Sequence, residues 1–98
     1  MNLSNAKIRR VQPKEIPELV RMVQTATTHP WTEPVFRDCL KAHYHIWVLS
    51  KSGNIVAFVV ALDQVNELQI LNICVSPECQ RQGYGHQLLR HAIQYAQL

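Results

Sequence analysis

The sequence predicts an α/β fold of the α+β kind, a mixed and mainly antiparallel sheet flanked by helices in the order β-α-α-β-β-β-α. Three observations carry this. Apolar runs at 45–50 and 55–62 are joined by Lys51-Ser52-Gly53-Asn54, whose Gly and Asn accept the positive φ of a hairpin turn, so these strands are expected to be antiparallel. A third run, 68–75, is rich in β-branched and other apolar side chains, has no Gly or Pro, and reads as a largely buried strand that Pro77 stops. Beyond it, Leu88, Leu89, Ala92, Ile93 and Ala96 share one helical face while Gln87, Arg90, Gln94 and Gln97 take the other.

Taken in order, residues 6–11 (Ala-Lys-Ile-Arg-Arg-Val) are short, apolar and basic, and read as a first strand ended by Gln12-Pro13. From Lys14 onward Ile16, Leu19, Val20 and Val23 follow the i, i+3, i+4, i+7 spacing of a helix, with Glu15 and Glu18 near its positive end. Pro17 lies in the first turn, where a missing N–H costs least. Three threonines, Thr25, Thr27 and Thr28, followed by His29-Pro30, end this helix near Ala26. Thr32 is placed to cap a second helix whose buried face is Val35, Phe36, Cys39 and Leu40, with Trp31 packing back as a hydrophobic staple. Asp63-Gln64-Val65-Asn66 then turns the second hairpin strand into the run Glu67–Val75.

Composition narrows the classes. Ninety-eight residues without repeats, linkers or low-complexity segments make one domain, 1–98. No apolar run approaches the roughly 20 residues of a membrane span, and Met1-Asn2-Leu3-Ser4-Asn5-Ala6 lacks the apolar core of a signal peptide, so a cytoplasmic location is expected. Ten Lys and Arg against seven Asp and Glu give +3 and a pI near 9.0, which favours anionic ligands. The basic residues are scattered and do not interleave with aromatics, so a nucleic-acid-binding reading would leave the charge as its only support. Cys39, Cys74 and Cys79 are odd in number and read as reduced thiols. Neither His86 and His91, five apart on a helix, nor His43-x-His45, nor Cys74-x4-Cys79 has zinc spacing, and no metal is expected.

The chemistry is concentrated in Gln80-Arg81-Gln82-Gly83-Tyr84-Gly85-His86, between the third apolar run and the last helix. Glycine permits a sharp turn and close ligand approach, and the helix start offers free N–H groups and the positive dipole end, together an anion site suited to a phosphate or pyrophosphate. A plain strand-to-helix turn needs the same two glycines, and the residues alone leave both readings open. A P-loop is excluded because His86 stands where its Lys belongs, and a dinucleotide fingerprint because Leu88 stands where its third Gly belongs.

Val75-Ser76-Pro77 with Gln80-Arg81-Gln82-Gly83-Tyr84-Gly85 resembles the acetyl-CoA signature Q/R-x-x-G-x-G/A of the GNAT superfamily of N-acetyltransferases. His29-Pro30-Trp31-Thr32-Glu33 with Phe36, and Leu71-Asn72-Ile73-Cys74-Val75, are similar to its branch that acetylates the N-terminal alanine of a ribosomal protein. The resemblance implies acetyl-CoA as cosubstrate, with its pyrophosphate on Arg81, Gln82, Gly83, Tyr84, Gly85 and His86 and its pantetheine arm along Ile73, Cys74 and Val75. It places Trp31 and Glu33 beside the acceptor, a primary amine such as a ribosomal-protein N-terminus. GNAT domains continue with a fifth strand, a fourth helix and usually a final hairpin, a part that in this branch also carries the glutamate and tyrosine taken as general base and acid. By that measure the chain is a truncated domain lacking the C-terminal strands and helix, and no catalytic residue is carried onto it. One expected consequence is an open strand edge that pairs two copies into a homodimer. The function implied is acetyl-CoA-dependent N-acetylation, with a non-catalytic acetyl-CoA-binding half-domain as the alternative.

Overall fold

A computed structural model of the chain describes residues 6–97, so the N-terminal stretch read for a leader and Leu98 lie outside the described residues. β1 is Ala6–Arg10, α1 Ile16–Ala26, α2 Glu33–Asp38, β2 Tyr44–Lys51, β3 Asn54–Gln64, β4 Glu67–Val75 and α3 Tyr84–Ala96. A 3-10 turn at Pro13–Glu15 precedes α1 and another at Pro77–Cys79 follows β4. The element order is the expected one. The four strands form an antiparallel sheet in the order β1-β2-β3-β4.

Helices cover both faces of this sheet. Side chains of β3 alternate, so Phe58 and Val60 face α1 and α2 with Ile16, Leu19, Val23 and Phe36, while Ala57, Val59 and Ala61 face α3 with Tyr84, Leu88 and Ala92. Because β3 has a neighbour on each edge and helices on each face, its run from Ile55 to Ala61 is buried throughout. Trp31, one residue before the N-cap Thr32, meets Phe36 edge to face at 5.3 Å, the staple the sequence predicts.

Four expectations are corrected. β4 is not largely buried: among the described residues it pairs only with β3, and Cys74 is its one buried residue. Its apolar composition reports the faces of the strand, whereas exposure is decided by the edge. On α2, Phe36 and Cys39 are buried but Val35 and Leu40 are 40% and 39% exposed, because the helix stops at Asp38 after six residues and cannot carry a wide apolar stripe inward. On α3 the buried stripe is Tyr84, Leu88 and Ala92, leaving Leu89 partly open and Ile93 56% exposed. In the β2–β3 hairpin the positive φ angles fall on Ser52 (52°) and Gly53 (86°), not on Asn54, which begins β3. Both central residues left-handed match the twist of the flanking strands.

Candidate functional site: the β4 edge and the turn into α3

The turn between β4 and α3 is built around two left-handed residues, Arg81 at φ 66° and Gly83 at φ 83°. For arginine that conformation costs about 1 kcal/mol or more; His43, Ser52 and Asn66 adopt it in other turns of the chain. Gly83 is the N-cap of α3, no side chain caps this end, and no acidic residue stands in its first turn. The first helical hydrogen bond is Gln87 N–H to the Gly83 carbonyl at 3.0 Å, which leaves the amides of Tyr84, Gly85 and His86 without helical partners.

The two glycines do different things. A Cβ on Gly83 would meet nothing within 4 Å, so its surroundings are open to an incoming group, and glycine is favoured there by φ. A Cβ on Gly85 would lie 3.4 Å from Val75 Cγ2, so this glycine lets α3 seat closely on β4. The side chain of Tyr84 is buried in the α3-side core and offers only its amide to the turn. Arg81, Gln82 and His86 are exposed. Lys51, which no motif singles out, adds a cation, its Nζ 5.7 Å from the Tyr84 ring centroid beside the helix start.

β4 leads into this turn with part of its backbone unused. The Ser76 amide donates to the Val56 carbonyl at 2.8 Å, so the alternation of an antiparallel ladder turns Cys74 toward β3 and directs the amides and carbonyls of Ile73 and Val75 to the open edge. The Val75 carbonyl accordingly accepts a 3.4 Å bond from Gln80 Nε2, outside the sheet. A bulge opposite Val60 and Ala61 leaves Leu71 without a partner.

On the α1 side of β4 lies a cavity of ≈ 250 Å³ lined by Val23, Ala26, Thr27, His29, Trp31, Leu71, Asn72, Ile73 and Cys74. Trp31 is thus at its wall. Glu33 instead pairs with Arg37 at 2.7 Å on the solvent side of α2. Burial pushes the Cys74 thiol above its ordinary pKa, so it is held neutral and is a poor nucleophile. A larger groove of ≈ 350 Å³ between α1 and Ser76-Pro77-Glu78 carries Glu18 and Glu78 beside Arg21, a balance ill suited to a phosphate. Among the described residues no group of three His, Cys, Asp or Glu side chains is gathered to hold a metal ion.

The open, uncapped helix start behind a glycine turn, and the strand with a free backbone edge that feeds it, lie within the stretch that a family model matches. The Acetyltransferase (GNAT) family model covers residues 16–98. The chain belongs to the GNAT acetyltransferase family. Over 86 residues it is 31% identical to the [Ribosomal protein bS18]-alanine N-acetyltransferase of Escherichia coli K12, a match spanning 88% of this chain and 58% of that enzyme. The crystal structure of the Escherichia coli ribosomal-protein-S18-alanine N-acetyltransferase superposes with a TM-score of 0.87 at 30% identity, covering 93% of this chain and 59% of that one. Rv2747 of Mycobacterium tuberculosis, solved in complex with CoA, shares the fold with a TM-score of 0.79 at 17% identity, over 93% of this chain and 57% of its own. This GNAT chain therefore spans a little over half the length of the relatives it matches.

Sequence reasoning missed several features of this GNAT site. Nothing marked Arg81 as left-handed, since arginine has no propensity for it. Thr27, His29 and Asn72 meet at the cavity only through the packing of α1 on β4, and the bulge at Leu71 leaves no trace in the apolar pattern.

Proposed function

We propose that this GNAT protein is an acetyl-CoA-dependent N-acetyltransferase of the cytoplasm that acts on primary amines, with polypeptide N-termini, including that of a ribosomal protein, as the acceptor class. The observation that carries the reading is the pairing of the uncapped α3 start at Gly83 with the free edge of β4 at Ile73 and Val75. The residues present fit acetyl-CoA. The open space over Gly83 and the amides of Tyr84, Gly85 and His86 suit a pyrophosphate, with Arg81 and Lys51 adding positive charge. The outward backbone groups of Ile73 and Val75 suit the amides of a pantetheine arm, in the manner of an added strand. The thioester supplies an activated acetyl group.

The remaining steps fall to this chain's residues. An arm lying along β4 toward Leu71 would bring its end to the cavity, where Trp31, Val23 and Ala26 give an apolar wall that excludes water and favours a neutral amine. An outward amide of β4, that of Ile73 or Val75, is placed to donate to the oxyanion that forms when the amine attacks. His29 carries the only imidazole in the lining and is the candidate proton acceptor there, a step typically worth about 10²–10⁴ in rate. The buried, neutral Cys74 argues for direct transfer over an acetyl-cysteine intermediate.

The same edge supports a second proposal, a homodimer. β4 contains neither Lys nor Pro to discourage pairing, and Ile70, Ile73, Leu89 and Ile93 are all exposed beside it. Two copies joined through β4 would occupy the backbone groups assigned to the cosubstrate, so dimer and acetyl-CoA complex are alternatives.

Acetyl transfer tests the reading. A peptide with a free N-terminal alanine should gain one acetyl group on its α-amine by mass spectrometry, with matching release of CoA thiol. An N-terminally blocked peptide should gain none. Acetyl-CoA consumption that is indifferent to the free amine would remove the proposal.

A further inference from the structure

His45 lies on the face of the sheet away from the cavity and is 7% exposed. Its Nδ1 is 2.7 Å from Arg10 Nη2. Arginine only donates, so Nδ1 accepts and the single proton of the neutral ring sits on Nε2. That Nε2–H has no hydrogen-bond partner, and the nearest acceptor, Asp63 Oδ2, stands at 3.6 Å, beyond bonding distance. The ring is stacked on Trp47 at 5.0 Å with an interplanar angle of 3°, and the Tyr95 ring leans on it at 4.5 Å. The Tyr95 hydroxyl donates to Asp63 Oδ2 at 3.3 Å, and the Arg10 guanidinium lies 5.7 Å from the Trp47 ring centroid. Four elements, β1, β2, β3 and α3, meet at this one imidazole.

We propose that His45 is a proton-operated latch on β1, held by Arg10 when neutral and handed to Asp63 when protonated. A second proton can land only on Nδ1, which then faces the Arg10 N–H as donor against donor and cation against cation. Arg10 must leave. The imidazolium keeps its Nε2–H toward the Asp63 carboxylate, and a small shift closes the 3.6 Å gap into a charge-assisted bond. Arg10 is the last residue of β1, and beyond it the Val11 amide donates to the Ile46 carbonyl at 2.9 Å, so release of Arg10 loosens this end of the strand.

The groups facing the ring agree on the direction. Burial first, then Arg10, with His43 adding a little, hold His45 below the ordinary imidazole pKa; Asp63 opposes them and does not prevail. His91 of α3 reaches it only through Trp47, against which it packs at 5.1 Å. A histidine whose folded pKa is depressed lends its stability in full above the unfolded value and loses it as the pH falls through the folded one, so the latch is closed at neutral pH and opens only below the ordinary imidazole range. The neighbouring tether outlasts it. Arg9 holds Glu15 by two bonds of 2.9 and 2.8 Å and keeps that carboxyl below its usual range, so it stays ionised while His45 titrates.

Hydrogen exchange followed by NMR tests this on the full chain. The protection factor of the Val11 amide should fall roughly tenfold per pH unit below the ordinary imidazole range, as expected for one linked proton, while that of Val48 in the same sheet stays constant. His45→Gln offers Arg10 an acceptor and Asp63 a donor without titrating, and the Val11 slope should vanish in it. The same slope in His45→Gln overturns the latch. Should that variant fail to fold, Arg10→Ala serves instead: the His45 ring-proton titration should move to higher pH, and an unmoved midpoint overturns the proposal.

Discussion

Phe36 fixes the α1 and α2 side of the molecule. It is fully buried, with Trp31 edge-on at 5.3 Å and Phe58 edge-on at 5.5 Å, so one ring ties the loop before α2 to the middle of β3. Phe36→Ala is expected to cost about 3–5 kcal/mol, read as a lower urea midpoint with an unchanged slope. Glu33→Gln, three residues away, removes an exposed pair with Arg37 worth about 0.3–0.5 kcal/mol and should barely register. Equal losses in the two variants would mean that α2 is held by its charges. This part of the chain was legible in the sequence, because Trp31, Thr32 and Phe36 stand at the spacing of a staple around an N-cap. Arg81 was not, since its left-handed backbone is imposed by the turn and by no preference of its side chain.

At the scale of elements, every strand and helix was legible by type, and the ends agree to within two residues for the strands. Side-chain alternation and helical spacing are local and survive in the sequence. What did not survive is neighbourhood. β4 and β3 are both apolar, yet β3 is buried and β4 is an edge, because apolar pattern does not count how many strands lie alongside. Leu89 and Ile93, on the apolar face of α3, are exposed because the stripe that packs on the sheet, Tyr84, Leu88 and Ala92, is narrower than that face. The two occupants proposed for the open edge, a second copy and the cosubstrate, should compete. Sedimentation at micromolar protein should show a dimer without ligand and a shift toward monomer as acetyl-CoA is added. A dimer indifferent to acetyl-CoA would place the contact elsewhere on the surface.

At the scale of the whole molecule, a four-stranded sheet holds α1 and α2 on one face and α3 on the other, and β4, at one edge of that sheet among the described residues, runs into the glycine turn. The cavity faces one layer and the glycine turn opens toward the other, so an acceptor and a phosphate-bearing donor can approach from different sides. Family membership and fold are consistent with this proposed division of labour, whose donor side rests on the motif Gln80 to Gly85; the cavity wall needed three dimensions. The most direct test is calorimetric titration of the chain with acetyl-CoA, repeated on Gly83→Asn. Asparagine tolerates the left-handed backbone, so the fold is retained while its side chain stands where the pyrophosphate would approach. The expected result is saturable one-to-one binding that weakens at least about tenfold in the variant, the loss of one or two hydrogen bonds to a charged group, with a melting temperature lowered by only a few degrees for the positive φ at this position. Equal affinity in the two proteins would contradict the assignment of the β4–α3 turn as the cosubstrate site.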